Sequence, residues 1–398
     1  MSLIQKRISR AGLSKQTAQG SAAAAATYGF GVDGGSIAKL DLTENEIPLT
    51  WSNRDVLGFD RSGVKPGQSF GTVATPNLIG LLLLGILGAD AVTSGATVSI
   101  SGVTTANPGV VTTSGAHGLT SGETIVISGV VGATQANGTW VVTVLSSTTF
   151  SIPVNVTGTY SSGGTVTPPP YTHTITPAAV LPYLTAWGFL GLADWVQLAD
   201  SKVTSLELSW EMAGKVTVKA EIASITPSML ASAYTETNLE VLSSGGYFTA
   251  GGGTFDVEGA SAAVAGGSIK FDTHIDQPIA AATVLPADVV EGKLEVTWSL
   301  KILPTSTALW RGVIFGSEAA GALSGVSSFP RLGAVSCEFI GPGTDRLTIA
   351  SPEVRFAVEF PESSPEGGAA ELTLAGTSTL PSSGSSVSAV LSNDVPSY

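Results

Sequence analysis

Apolar and polar side chains alternate along residues 203–222, with a single break at Ala213-Gly214. The apolar positions are Leu206, Leu208, Trp210 and Met212 before the break, and Val216, Val218, Ala220 and Ile222 after it. A period of two residues places side chains alternately on the two faces of a strand, and a glycine favours a tight turn. The pattern therefore predicts a β-hairpin with one buried face and one solvated face.

Similar short alternating segments recur along the chain and predict a mainly β protein. Further strands are expected at residues 37–42, 47–51, 254–257, 267–275, 293–300, 335–340, 353–360 and 370–374. The 48 glycines fit a chain with many turns between strands. The apolar run Leu78–Leu87 predicts a short helix with Asn77 as its cap, and it is too short to span a bilayer. Residues 181–200 and 227–233 are expected to be partly helical.

Residues 94–170 differ in composition from the rest of the chain. Glu123 is the only charged residue between positions 94 and 167, and Pro168-Pro169-Pro170 forms a stiff end. Short strands are predicted at residues 97–100, 110–113, 124–127, 140–145 and 150–152, with turns such as Asn137-Gly138 between them. The segment is interpreted as a small all-β domain inserted into a host domain of residues 28–93 and 171–380.

The two ends of the chain are predicted to lie outside the host domain. Residues 1–27 are polar, begin with basic residues and are interpreted as an extended N-terminal arm. Residues 381–398 form a Ser-rich C-terminal tail, expected to be mobile or held only by a neighbouring molecule. No secretory signal and no membrane-spanning segment is expected.

Charge is scarce and unevenly distributed. Only 12% of residues are charged, and the net charge is −13. The first 32 residues contain four charged side chains, all basic: Lys6, Arg7, Arg10 and Lys15. The acidic remainder argues against tight binding of nucleic acid but suits a surface past which DNA slides. The scarcity of charge suggests that much of the surface is covered in an assembly, and the single Cys337 excludes a disulfide framework.

Four segments in a fixed order carry a resemblance to a known family. They are GFGVDGGSIAKLDLTENEIPL, TPNLIGLLLLGILG, YTHTITP followed by LTAWGFLG, and the hairpin segment KVTSLELSWEMAGKVTVKAEI. In this order the chain resembles the major tail tube proteins of long-tailed, siphovirus-type bacteriophages, particularly those of actinobacterial hosts. The insert, with its NPG, AHGL, NGTW and TTF elements, is similar to small β-modules found within phage tail proteins.

The resemblance implies a structural virion protein. It implies a two-layer β-sandwich or barrel with one or two short helices, whose subunits form hexameric rings stacked around an acidic channel for genome passage. The lumen-facing candidates are Glu207, Ser209, Glu211, Thr217, Lys219 and Glu221. The candidates for an arm between rings are Lys6, Arg7, Arg10 and Lys15.

The resemblance also implies partners and a location. Besides other copies of the chain, the expected partners are the tape measure, tail terminator and distal tail proteins, with double-stranded DNA passing through the lumen without specific binding. The insert would project outward, and adhesion to host surface glycans is a further hypothesis. The protein would be assembled in the bacterial cytoplasm and reside in the virion tail, without a cofactor.

Several short motifs resemble catalytic, nucleotide-binding or metal-binding motifs, but the sequence around them does not predict the structure that such sites require. Gly29, Gly31 and Gly34 match G-x-G-x-x-G, and residues 67–71 match G-x-S-x-G, but neither motif lies between a predicted core strand and a helix. His117, His173 and His274 lack metal-site spacing, although Asp272, His274 and Asp276 share one predicted strand face. No enzymatic activity is therefore expected.

Two other structural roles remain open. A receptor-binding, fibre or other tail-tip adhesin would suit the inserted module and the tryptophans, including Trp187 and Trp298, although burial in a core or interface is the preferred explanation of the tryptophans. A capsid decoration protein is the third possibility. A fibre is expected to form trimers, a tube subunit hexameric rings, and a decoration protein a coat on icosahedral heads.

Overall fold

The computed structural model describes most of the 398-residue chain. The described residues are 10–46, 59–191, 194–212, 214–230, 232–240, 246–280, 283–304, 311, 332–359 and 371–398. They divide into two compact units. The first unit comprises residues 1–89, 175–342 and 347–389, and the second comprises residues 90–174, 343–346 and 390–398.

Strands dominate both units, and one α-helix lies among the described residues. Before the insert come β1 (Arg10–Lys15), β2 (Ala26–Gly31), β3 (Gly34–Glu46), β4 (Phe59–Val73), α1 (Pro76–Leu87) and β5 (Gly88–Thr93). The insert contains β6 (Val98–Val103), β7 (Gly109–Thr113), β8 (Thr124–Ser128), a 3₁₀ turn (Thr134–Ala136), β9 (Gly138–Val141), β10 (Thr143–Val144), β11 (Thr149–Ile152) and β12 (Thr165–Thr167).

The strands after the insert complete the sheets. They are β13 (Tyr171–Pro177), β14 (Leu184–Gly191), β15 (Asp194–Glu211), β16 (Thr217–Ala223), β17 (Thr226–Leu230), β18 (Glu236–Glu240), β19 (Phe255–Val257), β20 (Ala260–Ser261), β21 (Val264–Asp272), β22 (Glu295–Ile302), β23 (Leu332–Ile340), β24 (Arg346–Glu359), β25 (Leu372–Ser378) and β26 (Ser388–Asn393). The prediction of a mainly β protein is confirmed.

Two sheets of the first unit share strand β15. One sheet has the order β18-β2-β1-β14-β15-β17, and β15 takes part in it through residues 194–201. The other sheet has the order β3-β4-β16-β15-β21-β22-β25-β24, and β15 takes part in it through residues 202–211. We call the second group of strands the main sheet. The pairings between these strands are all antiparallel, as expected for a sheet with one face exposed to water.

The predicted hairpin is formed by β15 and β16. Leu206, Leu208, Val216 and Val218 are at most 1% exposed, so the alternating pattern identifies the buried face correctly. Met212 departs from the pattern: it is 74% exposed and has a positive φ of 44°. The chain has already left the strand at this residue to form the turn, so the expectation that Met212 lies on the buried face is wrong.

Helix α1 begins two residues before the predicted start. Pro76 occupies its first turn, and Thr75, rather than Asn77, is the N-cap residue, with no side-chain capping hydrogen bond. Eleven of its twelve residues are buried, which explains why apolar residues surround the helix on all sides. No helix among the described residues has the length and apolar character needed to cross a membrane.

Two segments predicted to be partly helical are strands. Residues 184–191 form β14, residues 194–200 form the first part of β15, and residues 226–230 form β17. Trp187 and Trp195 pack in a cluster with Ala26 and Tyr234. Aromatic side chains suit a pleated surface, and packing across the sheet determines the conformation here. The helical prediction for these segments is wrong.

The N-terminal segment is part of the sheet from Arg10 onward. Strand β1 lies between β2 and β14, antiparallel to both, and Ala11 and Leu13 are fully buried. An isolated six-residue strand has a weak sequence signal, but its pairing with two neighbours supplies backbone hydrogen bonds on both edges. The prediction of an extended arm over residues 1–27 is therefore wrong for residues 10–15, while residues 1–9 lie outside the described residues.

The second unit contains the predicted inserted module. Its seven strands form a nearly closed, barrel-like sheet with the order β10-β11-β7-β6-β12-β8-β9. The core includes fully buried Val111, Ile125, Phe150 and Val166. Asn137 accepts a hydrogen bond from Val130 N at 2.9 Å and donates one to Val130 O at 3.0 Å, and thus joins two loops.

The C-terminal segment is ordered. Residues 388–393 form β26, in which Ala389 and Leu391 are fully buried. The serine-rich composition concealed this short strand, because the apolar residues at alternate positions are few. The expectation of a mobile tail over residues 381–398 is wrong for this strand.

Candidate functional site: the polar face of the main sheet

All six residues predicted to face a lumen lie on the hairpin β15–β16, whose other face is buried. Glu207 is directly opposite Lys219, and Ser209 is opposite Thr217 with their hydroxyl oxygens 2.9 Å apart. Glu211 and Glu221 lie on the same face by strand alternation. We call this solvated side of the main sheet the polar face.

The neighbouring strands extend the polar face with further charged residues. Strand β21 places Lys270 opposite Glu207 and Asp272 opposite Ser205. Glu207 therefore lies between two lysines, Lys219 and Lys270, on adjacent strands. Lys270 also forms an ion pair with Asp272 at 3.2 Å. Such cross-strand neighbours are close enough to attract one another.

Basic and acidic residues remain interspersed across the next strands. In β22, Glu295 lies opposite Asp272, and Lys301 lies opposite Gly266. Lys293 and Glu295 form an exposed ion pair at 3.0 Å. The polar face as a whole is thus mixed in charge, whereas the hairpin alone led us to expect a weakly acidic face. The added lysines come from strands that are distant in sequence.

One end of the polar face contains a groove of about 610 Å³. Its lining includes Ser209, Glu211, Lys215, Thr217, Gly267 and Lys301. Beneath the groove, Gly267 leaves room for the buried Trp210 ring, because a Cβ atom there would lie 2.6 Å from Ser299 O and 2.9 Å from Trp210 Cζ2. We call this feature the end groove. It presents two ammonium groups and one carboxylate, together with several hydroxyls.

Two of the four candidate arm residues lie in a strand of the sheet rather than in an extended arm. Arg10 and Lys15 belong to β1, and the Arg10 guanidinium forms an ion pair with Glu236 of the same chain. Arg10 also lies 6.0 Å from the centre of the Tyr234 ring. Burial raises the pKa of Tyr234, although the charge of Arg10 partly opposes this. Arg10 thus fastens β1 to its own chain, while Lys6 and Arg7 lie outside the described residues.

A buried lysine that the sequence analysis did not single out fastens the loop before β22. Lys202 Nζ lies 2.6 Å from Glu291 Oε1 and 3.0 Å from Val289 O. It also lies 4.2 Å from the centre of the Tyr183 ring, whose hydroxyl donates to Asp288 at 2.9 Å. Burial and the nearby carboxylates raise the pKa of Tyr183. The signal in the sequence was a lone lysine at the start of an apolar strand.

The three histidines occupy unrelated environments. His117 is buried in the second unit, where its Nδ1 accepts a hydrogen bond from Leu119 N at 3.0 Å and its ring packs edge-on against Phe150. His274 is half exposed and lies 3.5 Å from Asp272 Oδ1. Within the described part of the chain, no group of three or more His, Cys, Asp and Glu side chains has an arrangement suited to a metal ion.

His173, in the second unit, is fully buried and has a partner at each ring nitrogen. Nδ1 lies 2.8 Å from Asp90 Oδ2, and Nε2 lies 2.7 Å from Val395 O. The Tyr398 ring packs beside it with the ring centres 4.8 Å apart. A carboxylate and a carbonyl both accept hydrogen bonds, so each ring nitrogen has an acceptor beside it. His173 thereby fastens residues 390–398 within the second unit.

The two glycine motifs lack the context that their chemistry requires. Residues 67–71 lie within β4, while Gly29 and Gly31 lie in β2 and Gly34 begins β3. A nucleophile elbow and a phosphate-binding loop each need a turn between a strand and a helix. Both motifs are therefore best interpreted as glycine-rich strand segments.

One comparison with known proteins concerns the insert. Residues 106–168 match the family model of the ubiquitin-activating enzyme E1 FCCH domain. The match covers a small part of the chain and lies within the barrel-like sheet of the second unit, so it describes the module and leaves the first unit unassigned. No curated protein matches the chain.

Proposed function

We propose that the chain is a structural subunit of a bacteriophage tail tube, which assembles into stacked hexameric rings around a channel for DNA. One observation carries this proposal: the six candidate lumen residues lie together on the polar face of a wide antiparallel sheet whose other side is buried. Such a sheet has the two surfaces that a tube wall needs, one for water and DNA and one for a second protein layer.

The mixed charge of the polar face determines how strongly a channel lined by it would bind DNA. Lysines such as Lys219 and Lys270 flank Glu207, so the phosphates would meet neither a continuous positive track nor a strongly repelling one. Tight DNA binding requires many uncompensated basic contacts. We therefore infer a channel that lets DNA pass without specific binding, with tape measure, terminator and distal tail proteins as the other partners in the virion tail.

The proposal is tested by negative-stain electron microscopy of the purified protein and of virions that carry it. Stacked rings of uniform diameter, with the second unit as a lateral projection, are the expected result. A monodisperse trimer or tapered rod at all concentrations would contradict it. A coat on icosahedral heads would instead indicate a decoration protein.

A second candidate function, adhesion at the tail tip or along the tail, is favoured by the surface of the module. Val141 and Leu145 are 55% and 57% exposed on the outside of the nearly uncharged module. Such a surface suits weak contact with host surface glycans or other neutral partners. Particles that lack residues 94–170 should then adsorb more slowly to host cells. Unchanged adsorption, with assembled tails, would exclude this role.

A further inference from the structure

The charges on the polar face are sorted into rows that run across the strands. Residues directly opposite one another on neighbouring strands form one row, and successive rows on the same face are two positions apart along each strand. The row through the centre of the hairpin runs from β16 to β24 and contains Lys219, Glu207, Lys270, Thr297, Thr377 and Arg355. We call it the basic row, because it has three cations and Glu207 is its only carboxylate.

The rows on either side of the basic row have a different character. The row toward the end groove is uncharged from β16 to β22 and contains four hydroxyl groups, those of Thr217, Ser209, Ser268 and Ser299. The row on the other side contains the carboxylates of Glu221, Asp272 and Glu295. We call these the hydroxyl row and the acidic row. A polyanion on the polar face therefore meets cations and hydroxyl donors in two adjacent rows and repulsion in the third.

The cations of these rows are partly compensated within the chain. Lys270 forms an ion pair with Asp272 at 3.2 Å, and Lys293, which precedes β22, forms one with Glu295 at 3.0 Å. Glu207 adds a further carboxylate at the centre of the basic row. It is the residue that lies opposite a lysine on both neighbouring strands.

The position of Glu207 is also the position that a phosphate group would take. The strands of Lys219 and Lys270 are roughly 10 Å apart, because adjacent strands are separated by about 4.8 Å. Lysine side chains are long and flexible, so both ammonium groups can reach an oxyanion that lies between them. The hydroxyl of Ser209 is in the next row of the same strand and can donate to such an oxyanion. A DNA phosphate would therefore compete with the Glu207 carboxylate for the same two cations.

We propose that Glu207 substitutes for a DNA phosphate between Lys219 and Lys270, and thereby keeps the contact between DNA and the polar face brief. The proposal rests on the tail-tube function and deepens it, because it names the residue that weakens DNA contact with the channel wall. Without the carboxylate, the two lysines and the hydroxyl row form a site for the sugar-phosphate backbone. Such a site contacts phosphates of any sequence, since it does not reach the base edges.

The test measures the binding of a fluorescein-labelled DNA duplex of about 30 base pairs to the full-length chain by fluorescence anisotropy, at salt concentrations from about 50 to 200 mM. We expect Glu207→Gln to bind the duplex about five- to tenfold more tightly than the parent at the lowest salt concentration, because each phosphate contact releases counterions. For the same reason, the slope of log Kd against log salt concentration should steepen by about one.

Two further variants separate this local effect from a change in net charge. Glu221→Gln removes the same charge from the same hairpin, but Glu221 lies in the acidic row, opposite Ser205 and Ser69. Its effect on affinity should be about twofold or less, because salt screens charges that are not in direct contact. The double variant E207Q/K219Q also lacks one of the two cations, so its affinity and salt slope should return to those of the parent.

The outcomes distinguish this proposal from the tube itself. Equal tightening by E207Q and E221Q, or unchanged binding by E207Q although circular dichroism shows it folded, would overturn the role of Glu207. Rings and tubes in electron micrographs together with either of these results would leave the proposed function standing. Tighter binding with a steeper salt slope in E207Q, without rings from the parent, would support the role of Glu207 and reject the tube.

Discussion

The ammonium group of Lys202 lies 2.6 Å from a carboxylate oxygen of Glu291, with the lysine side chain only 3% exposed. Removing one member leaves the other charge without its partner in a poorly hydrated site. We expect Glu291→Gln to lower the free energy of unfolding by about 2 kcal/mol, since the quarter exposure of Glu291 reduces the full effect of a buried pair. Urea denaturation at pH 7 measures this. The exposed pair Lys293–Glu295 is the control, where E295Q should cost about 0.5 kcal/mol or less.

The same ion pair predicts a dependence of stability on acid. Burial raises the pKa of Glu291, but hydrogen bonds from Lys202 and from backbone amides outweigh it and hold the pKa below its ordinary value of 4.5. Because the folded pKa is lowered, the stabilisation is complete above about pH 4.5 and is lost as the pH falls through the folded pKa. The difference between the parent and E291Q should therefore shrink between pH 6 and pH 3. A difference that stays constant over this range would contradict the assignment.

Asp345 predicts the opposite pH dependence. Burial, together with the charge of Asp394, raises the pKa of Asp345 to about 7. Its folded pKa exceeds the ordinary value of 3.8, so protonation stabilises the fold as the pH falls from about 7, and ionisation costs stability above it. We expect Asp345→Asn to stabilise the protein by about 1 kcal/mol at pH 8, after allowance for partial exposure, and to have little effect at pH 4. Calorimetry at both pH values measures this, with Asp276→Asn as the exposed control.

The contacts of His173 predict a local effect on the C-terminal segment. His173→Ala removes the ring nitrogens that contact the Asp90 carboxylate and the Val395 carbonyl, at a cost of about 2–3 kcal/mol. Residues 390–398 should then exchange amide hydrogens faster in mass spectrometry. His173→Gln should restore part of the protection, because it supplies a donor to one acceptor. His274→Ala, at an exposed site, should leave exchange in this segment unchanged; equal effects would argue against the contact.

Gly267 predicts a steric effect on the buried side of the main sheet, beneath the end groove. A methyl group at this position would meet Ser299 O and the Trp210 ring, both closer than 3.0 Å, so we expect Gly267→Ala to destabilise the protein by about 1–3 kcal/mol. Gly34→Ala is the matched control in the same sheet, because nothing lies within 4 Å of its added methyl group. Urea denaturation of the two variants gives the comparison. Equal midpoints would show that the backbone near Gly267 adapts freely.

The sequence predicted the features that depend on neighbouring residues. Alternation identified the hairpin β15–β16 and its buried face, and an apolar run identified helix α1. Features that depend on distant residues were missed. Strand β1 is stabilised by pairing with β14, in which Ala186, the partner of Leu13, is 173 positions away in sequence. Lys270 was not placed beside Glu207, because nothing local indicates which strands become neighbours.

The candidate site was also predicted only in its local part. The hairpin pattern grouped Glu207, Ser209, Glu211, Thr217, Lys219 and Glu221 on one side, but their electrostatic surroundings come from β21 and β22. The arm prediction failed for Arg10 because Glu236, its partner, is 226 positions away in sequence. Whether the polar face lines a lumen remains a prediction that the microscopy tests.

Strand β15 also has a mechanical consequence. Its residues 194–201 belong to one sheet and residues 202–211 to the other, so covalent bonds join the two layers in the middle of a continuous strand. A pulling force applied to either sheet along this strand passes to the other through the backbone, without first loading side-chain contacts. The first unit should therefore resist extension as a single element, and separation of its layers requires that hydrogen bonds of β15 break on both edges.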